Sequence, residues 1–301
     1  MTAQAMIRGQ VPIDGRASVV TRFAPSPTGL LHAGHAYSAI LAHDVAMAAG
    51  GRFLLRIEDI DGTRSRTEHV EGILADLAWL GLAWEGPVFQ AHRLASYAEA
   101  LERLRAIGLV YPCFCTRAEI AASLSAPHGD AGPVYPGTCR TLSPDERAAR
   151  LGTPHCWRLD MAAALARVGA PLTWWDAVAG TQRADPAAQG DVVLARKDAP
   201  ASYHLAVTLD DAAQGVSDVV RGVDLFVATH VHRLLQALLD LPTPRYRHHP
   251  LLTDDQGERL AKRHGAPSLS AQRLAGADGL AMATRLRATI AKSDAIATLS
   301  S

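Results

Sequence analysis

The chain has 301 residues, of which 48% are hydrophobic and 20% charged, with 30 basic and 30 acidic side chains. That length allows one large domain or two modest ones around a substantial core. The balanced charge excludes a generally basic nucleic-acid coat while leaving room for a local basic patch; no run reaches the ~20 apolar residues of a membrane span, and residues 1–18 lack the apolar centre of a secretory signal.

A cytoplasmic protein with no membrane partner is therefore expected, and its four cysteines (Cys113, Cys115, Cys139 and Cys156) read as thiols or metal ligands rather than disulfides. Residues 1–17 read as an irregular leader. SVVTRF (18–23) reads as a strand, APSPTGLLHAG as a loop, and HAYSAILAHDVAMAA as a helix that stops at Gly50 and Gly51. RFLLRI (52–57) reads as a second strand, completing a βαβ unit. The expected class is α/β, with a Rossmann-like, doubly wound parallel sheet. Amphipathic helices are expected over about 67–81 and 93–107.

Residues 113–145 interrupt that pattern. Thr116 with Glu119, and Ser143 with Glu146, are capping-box pairs, the second with Pro144 at the first helical position. HCWRLD, LTWWDAV, GDVVLAR, SYHLAVTL and SDVVRG then read as strands. DLFVATHVHRLLQALLDL reads as a helix ended by Pro242, and YRHHPLL, the turn DDQG and RLAKRHG follow. The expected organisation is a leader (1–17), the first half of a catalytic core (18–112), a metal-binding insert (113–145), the second core half (146–250), and a loop with a short helical tail (251–301).

PSPTGLLHAGH (25–35) sets glycines and two histidines where a strand passes into a helix. The unpaired N–H groups and positive dipole end of a helix start attract phosphate. Gly34 lets a ligand approach the backbone, and His32 and His35 can donate to a phosphoryl group whose charge grows in a transition state. Two histidines three apart also suit a metal, but no third ligand follows in a recognisable motif. Glu58, Asp59 and Asp61 in RIEDID allow a Mg²⁺ cluster as a minority reading. In the insert, a short polar loop between CFC and YPGTC buries little core, for which a structural zinc would compensate. Three cysteines are at hand, and the fourth ligand is open among His128, Cys156 and Tyr135.

RFAPSPTGLLHAGH, then LLRIEDID, VVRGVDL and RLAKR, resembles in order the catalytic core of the class I aminoacyl-tRNA synthetases, and most of all their glutamyl branch. HAGH stands where that class has "HIGH", and RLAKR where it has "KMSKS". The resemblance implies activation of L-glutamate by ATP, used with Mg²⁺, to give glutamyl-adenylate. It implies that Arg22, Ser26 and Arg221 hold the carboxylates of glutamate, that Glu58 holds its ammonium, and that Phe23, Ala24, Pro25 and Tyr203 complete the pocket. His32, Gly34, His35 and Lys262 fall on ATP positions, with His32, His35 and Lys262 expected to be catalytic. A compact, mobile ammonium suits departing pyrophosphate, and Lys262 is one of only three lysines among the 30 basic residues. Arg259, Ala261 and His264 depart from the family's "KMSKS".

The insert resembles the glutamyl-queuosine branch of the family, whose C-x-C…Y-x-x-x-C pattern implies one zinc per chain on Cys113, Cys115, Tyr135 and Cys139. A full glutamyl-tRNA synthetase continues beyond "KMSKS" into a helical anticodon-reading domain. Residues 267–301 are expected to form only a couple of short helices, so no such domain is expected. The resemblance then implies transfer of glutamate to queuosine in the anticodon stem-loop of tRNA(Asp), by a monomer. The competing expectations are a compact synthetase that charges a tRNA 3′ end, and a non-catalytic paralogue that binds amino acid or RNA.

Overall fold

The computed structural model describes residues 18–122, 134–197, 199–252 and 267–299. The leader, His128, and the segment carrying Arg259, Ala261, Lys262 and His264 lie outside the described residues. In chain order the elements are β1 (Val20–Phe23), α1 (Ala33–Ala48), β2 (Arg52–Ile57), α2 (Thr67–Trp79), β3 (Glu85–Phe89), α3 (Leu94–Ala106), β4 (Val110–Cys113), α4 (Arg117–Ala122), α5 (Pro144–Arg150) and β5 (Cys156–Leu159). There follow α6 (Met161–Val168), β6 (Thr173–Asp176), β7 (Gly180–Arg183), β8 (Val193–Ala195), α7 (Tyr203–Ala213), β9 (Asp218–Gly222), α8 (Ala228–Leu239), β10 (Arg245–His249), α9 (Leu269–Leu274) and α10 (Gly279–Leu299).

β1, β2 and β3 form one parallel sheet. β6, β10 and β9 form a second parallel run, with β7 antiparallel on its edge. The two meet where Ser217 N donates to Val20 O at 3.0 Å and Val20 N donates to Ser217 Oγ at 2.8 Å. The parallel α/β fold expected from the βαβ pattern is thus present. RFLLRI shows why β2 is central: its last five residues are all buried, as in a strand covered on both faces. α1 covers this sheet with Ala36, Ala39, Ile40 and Leu41. A third sheet, β4–β5–β8, is antiparallel and places Cys113 opposite Cys156.

The structure corrects three expectations. SYHLAVTL is not a strand but the start of α7, capped by the Ser202 hydroxyl, which accepts from Leu205 N. Its apolar run matches either element locally, and the cap with a buried Leu205–Ala206–Val207 face selects the helix. The tail is also more than a couple of short helices. α10 runs for 21 residues, sets Met282, Ala283, Leu286 and Ile290 into the main core, and ties to α1 through Arg287 Nε and Nη2 donating to Asp44 at 2.7 and 2.9 Å. Finally, α1 begins at Ala33, two residues before the expected start, for a reason that belongs to the site. Both capping boxes of the insert are formed as read from the sequence. Among the described residues, no helix is long and apolar enough to cross a membrane.

Candidate active site

A cavity of about 440 Å³ opens where β1, β2 and β9 deliver their C-terminal ends to the start of α1. In parallel α/β sheets this end of the strands is where ligands bind. Arg22, Phe23, Ala24, Pro25, Ser26, His32, Gly34, His35, Glu58, Tyr203 and Arg221 all line it. Every sequence-predicted pocket residue within the described chain is therefore brought to one space. Lys262 lies outside the described residues.

The helix start is built from the two histidines. Gly34 N donates to His32 Nδ1 at 3.1 Å, and His32 N donates to His35 Nδ1 at 3.2 Å. The pair forms a capping box in which imidazole rings replace the usual hydroxyl and carboxylate, and the rings lie 3.9 Å apart between centroids. Because both Nδ1 atoms accept, the neutral rings carry their protons on Nε2. Gly34 has a sharper reason than ligand approach: a Cβ there would stand 3.0 Å from the folded-back His32 ring.

Arg22 is buried at 4% exposure, and its Nε donates to Asp211 Oδ1 at 3.0 Å. Arg56, fully buried on β2, donates to the same carboxylate oxygen. Beside it, Asp210 accepts from Gln90 at 2.8 Å, Tyr97 at 2.8 Å and Arg93 at 2.5 Å. Beside the exposed Asp224, Glu58 is the cavity's second acid. Burial pushes its carboxyl up to about 7, against the pull of Arg56 and Arg22 and with a further push from Asp211 and Asp210.

Arg221, equally buried on β9, is held differently. Its Nε donates to His248 Nε2 at 3.0 Å, Nη1 to Tyr203 Oη at 3.2 Å and His232 Nδ1 at 3.3 Å, and Nη2 to Thr229 Oγ1 at 2.6 Å. None of these acceptors is a carboxylate. His249 also lines the cavity; its Nδ1 bonds to Pro250 O at 2.9 Å, and its buried Nε2 has no hydrogen-bond partner among the described residues.

Asp59 and Asp61 do not join Glu58 in a metal cluster. Asp59 accepts from Ala91 N at 2.8 Å, while Asp61 pairs with Thr63, Arg64 and Arg196. Among the described residues, one group of His, Cys, Asp or Glu side chains is close enough to share a metal: Cys113, Cys115 and Cys139, whose Sγ atoms lie within 4.8 Å of one another. Cys115 Sγ is 3.5 Å from Cys139 Sγ and 3.6 Å from Tyr135 Oη. Cys156 is buried across the strand pair and stands outside that trio. A larger cavity of about 890 Å³ is lined by Cys115 and Tyr135, has Arg158, Arg196, Lys197 and His204 in its wall, and shares Tyr203 with the first.

Sequence reading missed Arg56, Asp210, Asp211, Thr229, His232, His248 and His249. One local signal was present for two of them: an Asp–Asp pair placed directly after a strongly apolar stretch.

A family model for the catalytic domain of class I tRNA synthetases (E and Q) matches residues 18–291. A glutamyl-Q tRNA(Asp) synthetase of Rhodobacter capsulatus is 51% identical over 269 residues, covering 86% of this chain and 96% of the relative. One from Symbiobacterium thermophilum is 47% identical, covering 85% and 81%. Among solved structures, a glutamate tRNA ligase from Elizabethkingia meningosepticum in complex with its amino acid superposes with a TM-score of 0.71 at 27% identity. That match covers 83% of this chain and 53% of the ligase, so the chain spans about half the length of that enzyme. With a family model over most of its residues and relatives matched along most of their length, the chain belongs to the glutamyl-Q tRNA(Asp) synthetase family of class I tRNA synthetases.

Proposed function

We propose that the chain activates L-glutamate with ATP and passes the glutamyl group to queuosine in the anticodon stem-loop of tRNA(Asp), acting as a monomer. One observation supports this reading above the others: two buried arginines, Glu58 and a histidine-capped helix start line a single cavity. Glutamate carries two carboxylates and one ammonium, and guanidinium forks suit the former while Glu58 suits the latter. Arg221 and Arg22, with Ser26, receive the carboxylates; Phe23, Ala24, Pro25 and Tyr203 shape the remaining wall.

The α-carboxylate oxygen of glutamate attacks the α-phosphorus of ATP, and pyrophosphate leaves. Charge that grows on the phosphoryl oxygens meets the Nε2–H groups of His32 and His35 and the N–H groups that open α1. Lys262 follows the pyrophosphate. In the second step a ring hydroxyl of queuosine attacks the glutamyl carbonyl, the hydroxyl proton is lost, and AMP departs. The larger cavity, which has Arg158, Arg196 and Lys197 in its wall and shares Tyr203 with the first, suits entry of a splayed anticodon base.

Cys113, Cys115, Cys139 and Tyr135 are the residues that hold zinc in this reading. Two sulfurs on one tetrahedral zinc, each ~2.3 Å from it, stand about 3.8 Å apart, close to the 3.5 Å between Cys115 and Cys139. Zinc supplies structure there, since four protein ligands close the shell. One zinc per chain by elemental analysis, and a lower melting temperature after chelation, are expected.

The deciding experiment is pyrophosphate exchange with ATP. It should require glutamate and no tRNA, and radiolabelled glutamate should then enter tRNA(Asp) only when queuosine is present. Label at the 3′ end of a tRNA would select the compact-synthetase reading, and no exchange with any amino acid would select a binding protein.

A further inference from the structure

Arg221 holds four hydrogen bonds, and each goes to a neutral group. A guanidinium can only donate, so each nitrogen facing it must accept. His248 Nε2 stands 3.0 Å from Arg221 Nε and must therefore be unprotonated. The proton of a neutral His248 then sits on Nδ1, which lies 2.7 Å from Asp176 Oδ2. Asp176 belongs to β6 and is 72 residues away in the chain, yet on neighbouring strands His248 stands in register with Arg221, and Asp176, in register with Tyr246, reaches His248 through its side chain. All three side chains are buried, at 1%, 3% and 4% exposure.

Asp176 is held for this task. Its Oδ1 accepts from Val178 N at 2.8 Å and Ala179 N at 2.9 Å, and its Oδ2 accepts from both His248 N and His248 Nδ1. Every donor around the carboxylate is fixed backbone except the imidazole. His232 repeats the acceptor pattern on the other side of Arg221: its Nδ1 faces Nη1, and its Nε2 lies 3.2 Å from His204 Nδ1. Burial, aided by the charge of Arg221, holds both His232 and His248 below the ordinary histidine range, against the opposing pull of Asp176 on His248.

We propose that Asp176 and His248 are positioning residues for the glutamate clamp: Asp176 fixes the Nδ1–H tautomer of His248, and His248 thereby orients Arg221 toward the substrate carboxylate. This rests on the reading that Arg221 binds a carboxylate of glutamate. The arrangement keeps a carboxylate one residue removed from Arg221. Asp176 acts on the clamp through a neutral ring, so the guanidinium charge is left for the ligand.

Asp176→Asn isolates the idea. An asparagine must turn its amide NH2 toward one oxygen position. At Oδ1 it would face two immovable backbone N–H groups; at Oδ2 it would face one, and an imidazole able to move its proton. The second costs less. His248 Nδ1 then accepts, the proton moves to Nε2, and Nε2–H collides with Arg221 Nε–H. A wrong tautomer imposed by an Asp-to-Asn change is known to disable a catalytic histidine while leaving the fold intact.

Two measurements test it. On the full chain labelled with ¹⁵N-histidine, NMR should show the His248 resonance, identified by its loss in His248→Gln, as the Nδ1–H tautomer. An Nε2–H tautomer, or a charged ring at neutral pH, overturns the proposal without requiring any further variant to fold. In pyrophosphate exchange, Asp176→Asn should raise the KM for glutamate by about tenfold or more and leave the KM for ATP unchanged. In a His248→Gln background no tautomer is at stake, so the same change should add less than about twofold. An equal rise in both backgrounds would make Asp176 merely structural and sink the idea. If Arg221→Lys raises the KM for glutamate while Asp176→Asn does not, the clamp reading stands and the positioning role falls. If Arg221→Lys has no effect either, both fall.

Discussion

On the β1–β2 side of the cavity, Arg22 and Arg56 share Asp211, and Asp210 lies alongside with Arg93, Tyr97 and Gln90 on its oxygens. On the β9–β10 side, Arg221 is just as buried but meets only two imidazoles, a phenol and a threonine hydroxyl. The first wall pairs each of its guanidinia with a carboxylate of the protein. The second leaves one positive charge without an ion-pair partner among the described residues. Burying an unpaired charge is costly, whereas a paired one is tolerated. The two walls therefore divide the work: the first is a rigid support that places Arg22, and the second stores an attraction that an incoming carboxylate discharges.

The largest effect should come from breaking the first wall. Asp211→Asn keeps the size of the side chain but strips buried Arg22 of its carboxylate partner and leaves fully buried Arg56 only the longer 4.0 Å pair with Asp210. Removing one partner of a buried ion pair costs about 3–5 kcal/mol, so the urea midpoint should fall steeply. A loss below about 1 kcal/mol, the value of an exposed pair, would erase the contrast between the walls.

Breaking the second wall should harm binding more than stability. Arg221→Lys replaces a planar fork of donors by a point charge that cannot satisfy four acceptors at once. The KM for glutamate should rise about 10- to 100-fold, the equivalent of losing one or two charge-assisted bonds at ~1.4 kcal/mol per decade. The unfolding midpoint should move less than in Asp211→Asn. A variant that binds glutamate normally would show that Arg22, not Arg221, carries the attraction.

Glu58 sits between the walls and supplies the pH dependence. Its carboxyl titrates at about 7 because burial opposes the charged form. The ammonium of glutamate pairs only with the ionised carboxylate. The KM for glutamate should therefore fall as pH rises through about 7 and level off above it, and Glu58→Gln should flatten the profile. The sign for folding is opposite: a carboxyl raised in the fold favours the folded chain while it stays protonated, so free-enzyme stability falls as pH rises through about 7. Bound glutamate should offset that fall. A KM that instead rises with pH across this window would remove Glu58 from the ammonium site.

The contrast between the walls also marks what was legible in the sequence. RFLLRI was readable as β2 to the residue from Phe53, Leu54, Leu55 and Ile57, the apolar content of a buried parallel strand, although Arg56 interrupts the run. Arg22, Glu58, Tyr203 and Arg221 were readable as pocket residues because each lies inside a contiguous motif. Their supports were not. Arg22 reaches Asp211 across 189 positions and His248 reaches Asp176 across 72, and such pairings leave no local pattern in a single chain. SYHLAVTL misled for a related reason: its apolar run suits a buried strand or a buried helix, and only Ser202 and the Asp210–Asp211 pair show which face turns inward. The histidine cap of α1 was half visible. The helix start was read two residues late, at His35, because capping boxes are recognised by hydroxyls and carboxylates, so His32 and His35 read as ligand donors and not also as caps.

The finest test of the comparison is Tyr203→Phe. The phenol lines both cavities and accepts from Arg221 Nη1 at 3.2 Å, so it belongs to the second wall and borders the larger cavity as well. Removing one oxygen deletes one of four acceptors and keeps the ring, its packing and the charge of Arg221. A neutral acceptor is worth ~0.5–1.5 kcal/mol, which is about a two- to tenfold rise in the KM for glutamate, with the KM for ATP unmoved. Had Tyr203 been a charged partner in a wall of ion pairs like the first, its loss would strand a buried charge and destabilise the fold. Because Arg221 keeps three neutral acceptors and faces an open cavity, the unfolding midpoint should stay within the error of measurement. A variant that loses stability but keeps its KM would mean that Arg221 depends on Tyr203 for its burial and not for its aim.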